Sequence, residues 1–180
     1  MTYLKLTKLV SNYVVLDFET TGFDPRLNEP IQVAAIRYEN FVEKDRYVSY
    51  IRPQQPIPPF ITQLTGISNY DVQHAPFVND VFSELLKFIG NYALVAHNAA
   101  FDMKFFIHYL NKYQLAYTSF SVIDTLALAR QYIHSPDHKL PTLKRFLQLS
   151  HFDSHEALSD VLVTAALYEY CYKQAKKRHE

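Results

Sequence analysis

The sequence predicts an α/β domain built on a mixed five-stranded sheet with helices on both faces, and three observations carry that expectation. The first is order: three β-rich stretches follow one another, and two short apolar stretches then alternate with segments of helical period. The second is composition. Of 180 residues, 48% are hydrophobic and 20% charged, with 13 Phe and 14 Tyr, which excludes disorder and low complexity and supplies an aromatic-rich core. The third is continuity: with no internal repeat and no compositional break, residues 1–180 read as a single domain of ordinary size.

Each element has its own reason. Residues 13–18 are β-rich and apolar except for Asp17, as in a strand buried on both faces, and Thr20-Thr21-Gly22 turns the chain. Residues 31–38 and 42–51 read as two more strands, paired antiparallel through a polar turn at Glu39-Asn40. The prolines from Pro53 to Pro59 end that region as a connector, because proline cannot donate to a ladder. Phe77, Val78, Val81, Leu85, Phe88 and Ile89 form a stripe of helical period that Gly90 stops. Residues 93–96 are a short buried strand, and residues 99–113 are helical by spacing, with Asn98 expected to cap their start. Val122-Ile123 is the fifth strand, running into Asp124 and then a helix to about Tyr132. Pro141 opens a short helix, and residues 154–176 make a long final one.

Charge and cysteine usage exclude several classes. Eighteen basic against eighteen acidic residues give a net charge of zero, which excludes the broad basic face needed to grip long duplex and leaves room for a short contact with nucleic acid. Lys173, Lys176, Lys177 and Arg178 read as a solvated helix end complementing the helix dipole. Cys171 alone can form neither an internal disulfide nor a cysteine metal cluster, and reads as packing in a reducing cytosol. No apolar run approaches the ~20 residues of a membrane span, and residues 1–10 are too short and interrupted for a signal peptide, so the expected location is cytoplasmic with no membrane partner.

Chemistry concentrates in three segments. Asp17 and Glu19 lie two apart at a strand end, on one face, where two carboxylates about 4 Å apart repel by roughly 4 kcal/mol at an effective dielectric near 20 unless a cation neutralises them. Asp102 falls in the first turn of the helix after His97-Asn98, near the same sheet end. Asp160 lies inside the last helix, with His155 at its fraying first turn. Taken singly, each has a plainer reading: a turn, a first-turn charge complementing the dipole, a solvated helical charge. Together, four carboxylates and one histidine suit two-metal phosphodiester cleavage, in which Mg²⁺ or Mn²⁺ takes oxygen ligands and a base activates water. A zinc site would use more His or Cys.

Asp17-Phe18-Glu19-Thr20-Thr21-Gly22, His97-Asn98-Ala99-Ala100-Phe101-Asp102, and His155 with Asp160 resemble, in order, the three motifs of the DEDDh 3′-5′ exonucleases, specifically the proofreading epsilon-type members of bacterial DNA polymerase III. The resemblance runs from about residue 13 to residue 170 and includes Leu64-Thr65-Gly66-Ile67 and Asp124-Thr125-Leu126-Ala127. It implies a ribonuclease H-like fold and 3′-to-5′ release of nucleoside monophosphates. It further implies that Asp17, Glu19, Asp102 and Asp160 hold two divalent ions, Mg²⁺ or Mn²⁺, and that His155 is the general base. Thr20 and the backbone of Thr21 would meet the terminal 3′-hydroxyl, Leu64 and Phe101 would pack against terminal bases, and His97 would orient its turn. Thr65 stands where some epsilon-type sequences carry histidine before Gly-Ile.

The wording of the motifs favours single-stranded DNA 3′ ends over RNA, which stays as the alternative, beside a non-catalytic polymerase-accessory module and a small-molecule phosphodiesterase. Clustered, mutually repelling carboxylates argue against the non-catalytic reading. No polymerase domain is recognised in these 180 residues, so the expected action is alone or in trans with a DNA polymerase. Residues 148–152 are similar to the short motif that binds sliding clamps, although their place before the last helix favours packing of Leu149 and Phe152. Two bound ions would place positive charge at the point of chemistry despite a neutral chain, which predicts weak, distributive action unless a partner supplies grip.

Overall fold

The structure, a computed structural model, describes residues 3–149 and 157–178. Its centre is a sheet of six strands: β1 (Tyr3–Lys5), β2 (Tyr13–Thr20), β3 (Pro30–Glu39), β4 (Val42–Tyr50), β5 (Ala93–Ala96) and β6 (Phe120–Asp124), in the order β1-β6-β5-β2-β3-β4. Strands β2, β3 and β4 are the expected antiparallel meander, and β5 and β6 run parallel to β2. Asn40 and Phe41 make the β3–β4 turn in the left-handed region.

The sixth strand corrects the expected five. Strand β1 adds three residues at the sheet edge, parallel to β6, with Tyr3 opposite Phe120 and Lys5 opposite Val122. Three residues with lysine among them carry no readable period, so this strand is made by a partner distant in sequence.

Seven helices are described: α1 (Pro59–Thr65), α2 (Asn69–Val72), α3 (Val78–Ile89), α4 (Ala100–Lys112), α5 (Thr125–Tyr132), α6 (Leu140–Phe146) and α7 (Ala157–Lys177). The first two are additions to the elements expected from periodicity. The proline run ends in α1 because Pro59 sits at its first position, where its missing N–H costs nothing, and Gly66 closes the helix in the left-handed region at φ 75°. Ser68 and Asp71 form a capping box at the start of α2.

The alternation of β2 divides the core. Val14, Leu16 and Phe18 face α3 and α4 and pack with Phe82, Leu85, Phe106 and Leu110. Tyr13 and Val15 face α7 and pack with Val161, Ala165 and Tyr168. The Tyr168 hydroxyl donates to the Val10 carbonyl at 2.8 Å and accepts the Val10 N–H at 2.9 Å, fixing α7 along the sheet. Buried Cys171 packs with Leu143 and Leu167, and its thiol is pushed up to about 12 by burial, as expected of inert packing. Among the described residues, no helix is long and apolar enough to cross a membrane.

Candidate metal centre

The centre is built where β2 outruns its parallel neighbour. Pairing between β2 and β5 ends at Val15 opposite Val95, and β5 leaves the sheet after Ala96. The Phe18 N–H, with no strand beside it on that side, donates instead to Asp102 Oδ1 at 3.2 Å. Asp102 thus reaches the sheet end from the first turn of α4 and is only 2% exposed. On the α7 face, Asp17 lies opposite Ala34 and Glu19 opposite Gln32, and Asp160 comes from the first turn of α7. One carboxylate oxygen from each of Asp17, Glu19 and Asp160 lies within 4.8 Å of the others.

Such proximity has an electrostatic cost that shows in the titration of the group. Burial, and then the charge of Asp160, pushes the Asp17 carboxyl up to about 8. Glu19 rises to about 9, first through burial and then through Asp17 and Asp160. Asp102 is held well above the usual carboxylate range by burial and by Asp17, partly offset by the Phe18 N–H. Each carboxylate therefore needs a proton or a cation. Hard oxygen donors packed this closely suit a divalent ion, so the cluster can hold a metal.

A residue with no role expected from the sequence sets the position of α7. Gln32, 4% exposed and paired with Glu19, accepts the Ala157 N–H on its Oε1 at 3.3 Å. This hydrogen bond ties α7 to β3 three residues before Asp160. The available signal is an amide interrupting the apolar run of residues 31–36.

The turn at His97 is tied to two elements. Burial lowers the pKa of His97, so the ring is neutral; Nε2–H donates to the His138 carbonyl at 2.9 Å and Nδ1 accepts from the Thr125 hydroxyl at 3.0 Å. Asn98 is not the helix cap expected from the sequence. It adopts φ 59°, a conformation asparagine tolerates, and its N–H donates to Asp124 Oδ1 at 3.0 Å, while Ala99 occupies the N-cap position. Asp124 also accepts the Leu126 N–H and so caps α5.

Thr20 and Thr21 are nearly buried, at 8% and 7% exposure. The Thr20 hydroxyl donates to the Gly22 carbonyl at 2.6 Å, and Thr21 Oγ1 accepts the Glu29 N–H at 2.9 Å. Gly22 is required by close approach, since a Cβ there would lie 2.6 Å from the Asn28 amide. On α1, Ile61 packs against Ile31 at the start of β3, leaving Leu64 on the outer face at 52% exposure. Phe101 meets the exposed Phe23 ring edge-on at 6.2 Å and carries the Lys104 ammonium over its own ring. His155, Ser150, His151 and Phe152 lie outside the described residues.

Comparison with known proteins places the chain among exonucleases. Among curated relatives, the PolC-type DNA polymerase III of Caldanaerobacter subterraneus subsp. tengcongensis is 36% identical over 161 residues, covering 89% of this chain and 11% of that protein. The 3′-5′ exonuclease DinG of Bacillus subtilis is 37% identical over 158 residues, covering 87% of this chain and 17% of that protein. The chain therefore spans only 11–17% of the length of these relatives. Among solved structures, exonuclease X in complex with 5′ overhanging duplex DNA superposes with a TM-score of 0.72 at 22% identity, covering 91% of this chain and 93% of that one. E. coli exonuclease I in complex with a dT13 oligonucleotide gives 0.78 at 20% identity, covering 94% and 43%. These structures share the ribonuclease H-like fold. The exonuclease family RNase T matches residues 14–168, a span that holds strands β3 to β6, all but the first residue of β2 and all four carboxylates, and the chain belongs to that family.

Proposed function

We propose that this chain is a metal-dependent 3′-to-5′ exonuclease that releases nucleoside monophosphates from single-stranded DNA ends. In this reading Asp17, Glu19, Asp102 and Asp160 hold two divalent ions, Mg²⁺ or Mn²⁺, and His155 is the general base. The observation that carries it is the convergence of Asp17, Glu19 and Asp160 within 4.8 Å, with Asp102 buried against the same strand end. Sequence relatives named as PolC-type polymerases and as a 3′-5′ exonuclease support the choice of DNA and of a polymerase, acting in cis or in trans, as the natural partner.

When bound, the divalent ions lower the pKa of the attacking water and stabilise charge on the phosphoryl oxygens. The chain's own groups do the rest. Thr20 spends its hydroxyl proton on the Gly22 carbonyl, which leaves its oxygen as an acceptor for the terminal 3′-hydroxyl. Leu64 and the Phe23–Phe101 pair offer apolar surface on which terminal bases stack without sequence preference. His155 takes the proton of the attacking water, a task suited to a near-neutral pKa.

Incubating 5′-labelled DNA and RNA of matched sequence with and without Mg²⁺ or Mn²⁺ tests the reading. Metal-dependent shortening by single nucleotides, faster on DNA, is expected, and the absence of nucleotide release from either polymer in either metal would overturn it. Faster turnover of RNA would reassign the substrate. His155→Ala is expected to reduce the DNA rate by about 10²-fold and to remove the limb of the pH–rate profile near neutrality. An unchanged rate and profile would move the role of base to another group.

A further inference from the structure

Helix α7 brings Asp160 to the carboxylate cluster, and its apolar contacts with the sheet fix only part of its placement. Ala157, Val161, Ala165 and Tyr168 recur at helical spacing and pack in one cluster with Tyr13 and Val15 of β2 and Ala34 and Ile36 of β3. This stripe decides which side of α7 meets the sheet. Apolar contact has no direction, so it sets the height of the helix along the strands only loosely. Height matters at Asp160, because a slip of one residue along the axis moves a helical side chain by about 1.5 Å and turns it by about 100°.

Hydrogen bonds supply the missing coordinate. Towards the C-terminal end of α7, the Tyr168 hydroxyl is held by the N–H and carbonyl of Val10. At its other end, the Ala157 N–H donates to Gln32 Oε1. Ala157 precedes Asp160 by three residues, about one turn. Gln32 is buried on β3 directly opposite Glu19 of β2. Residues opposite one another in an antiparallel pair share a face, with Cβ atoms about 4.5–5.5 Å apart, so the same buried amide touches the start of α7 and lies beside Glu19. An amide also accepts this bond without adding a further charge to three carboxylates that lie within 4.8 Å of one another.

From this geometry we infer that Gln32 is a positioning residue for the metal centre: through the Ala157 N–H it sets the height of Asp160 against Asp17 and Glu19, and with it the spacing at which the three carboxylates close on an ion. The inference rests on the exonuclease reading and deepens it. Gln32 touches neither ion nor substrate in this role. Loss of a group that orients a metal ligand typically costs about 10–100-fold in metal affinity or activity.

The test uses Gln32→Met, which keeps the length of the side chain and gives up the carbonyl acceptor, and Gln32→Glu, which restores an acceptor oxygen. Mn²⁺ binding without DNA is followed by water-proton relaxation, and release of nucleotides from 5′-labelled dT8 is measured at saturating Mn²⁺. For Gln32→Met, Mn²⁺ affinity and kcat are each expected to fall about tenfold or more, while KM for dT8 stays within about twofold. Gln32→Glu is expected to recover kcat to within about threefold of wild type. In an Asp160→Ala background, Gln32→Met is expected to weaken Mn²⁺ binding by less than about twofold further, because the ligand it positions is already gone.

Wild-type Mn²⁺ affinity and kcat in Gln32→Met would overturn the inference even if that variant melts at a lower temperature, since a residue that only supports the fold lowers stability alone. Equal losses of Mn²⁺ affinity with and without Asp160 would also overturn it, as would a Gln32→Glu protein no more active than Gln32→Met. Gln32→Asn, whose amide stops one methylene short of Ala157, carries the same expectations and replaces Gln32→Met if thermal unfolding curves show the latter unfolded. A wild-type chain that binds Mn²⁺ and releases no nucleotide would instead refute the exonuclease reading, with the Mn²⁺ titrations still deciding the role of Gln32.

Discussion

Asp17→Ala and Asp102→Ala are each expected to lower metal-dependent release of nucleotides from single-stranded DNA by roughly 10³-fold or more. The two variants should reach that loss by different physical routes. Asp17 is one of three carboxylates within 4.8 Å, so its removal relieves repulsion, and the metal-free Asp17→Ala protein is expected to unfold at or above the wild-type temperature. Asp102 also accepts the buried Phe18 N–H. Its replacement by alanine orphans that amide at a cost of about 1–3 kcal/mol, so Asp102→Ala is expected to melt below wild type. Asp102→Asn separates the effects, because the carboxamide oxygen still accepts from Phe18 while the anionic ligand is lost: stability near wild type, activity as low as Asp102→Ala. Single-turnover assays with differential scanning calorimetry check all three. Near-wild-type rates in both alanine variants would remove the carboxylates from the chemistry.

In chelator, the unfolding temperature is expected to fall by about 4 °C or more between pH 7 and pH 9, and saturating Mg²⁺ or Mn²⁺ should abolish most of that fall. The sign follows from proton binding. In the metal-free fold the Asp17 and Glu19 carboxyls are pushed up to about 8 and about 9, whereas unfolded carboxyls titrate near pH 4. The folded state keeps protons that the unfolded state has released. Stability from these groups is therefore complete below about pH 4 and is lost as pH rises through about 8 and 9. His97, with its pKa lowered by burial, acts in the opposite sense and on the acid side of 6.5, whereas buried Cys171, held up to about 12, adds a smaller loss of the same sign as pH approaches 9, which Cys171→Ala removes without touching the carboxylates. A divalent ion takes the place of the protons, and its stabilisation should grow with pH. Asp17→Asn is expected to flatten the chelator curve and shrink the metal effect. A melting temperature independent of pH and of metal across this window would show that the carboxylates carry neither proton nor ion in the fold.

Periodicity exposes what depends on local sequence. The alternation of β2 is readable because alternate side chains enter opposite cores, and the stripe of α3 is readable because one face of that helix is buried. The spacing of Asp17 and Glu19 follows from the same alternation. Elements whose existence depends on distant partners are less legible. Strand β1 exists because β6 offers it an open edge, and Asn98 leaves the cap position because Asp124, twenty-six residues away, takes its N–H. The two short helices after the proline run lack the length to show a period.

By itself, then, the sequence determined the meander followed by βα units and the identity of the four carboxylates, because strand alternation and motif order are written along the chain. Only the tertiary structure decided that β5 ends early enough for Asp102 to take the Phe18 amide and that Gln32 accepts the Ala157 amide of α7. The physical reason is that burial, mutual repulsion and hydrogen-bond satisfaction arise from groups far apart in sequence and close in space, and no period or spacing along one chain encodes that distance.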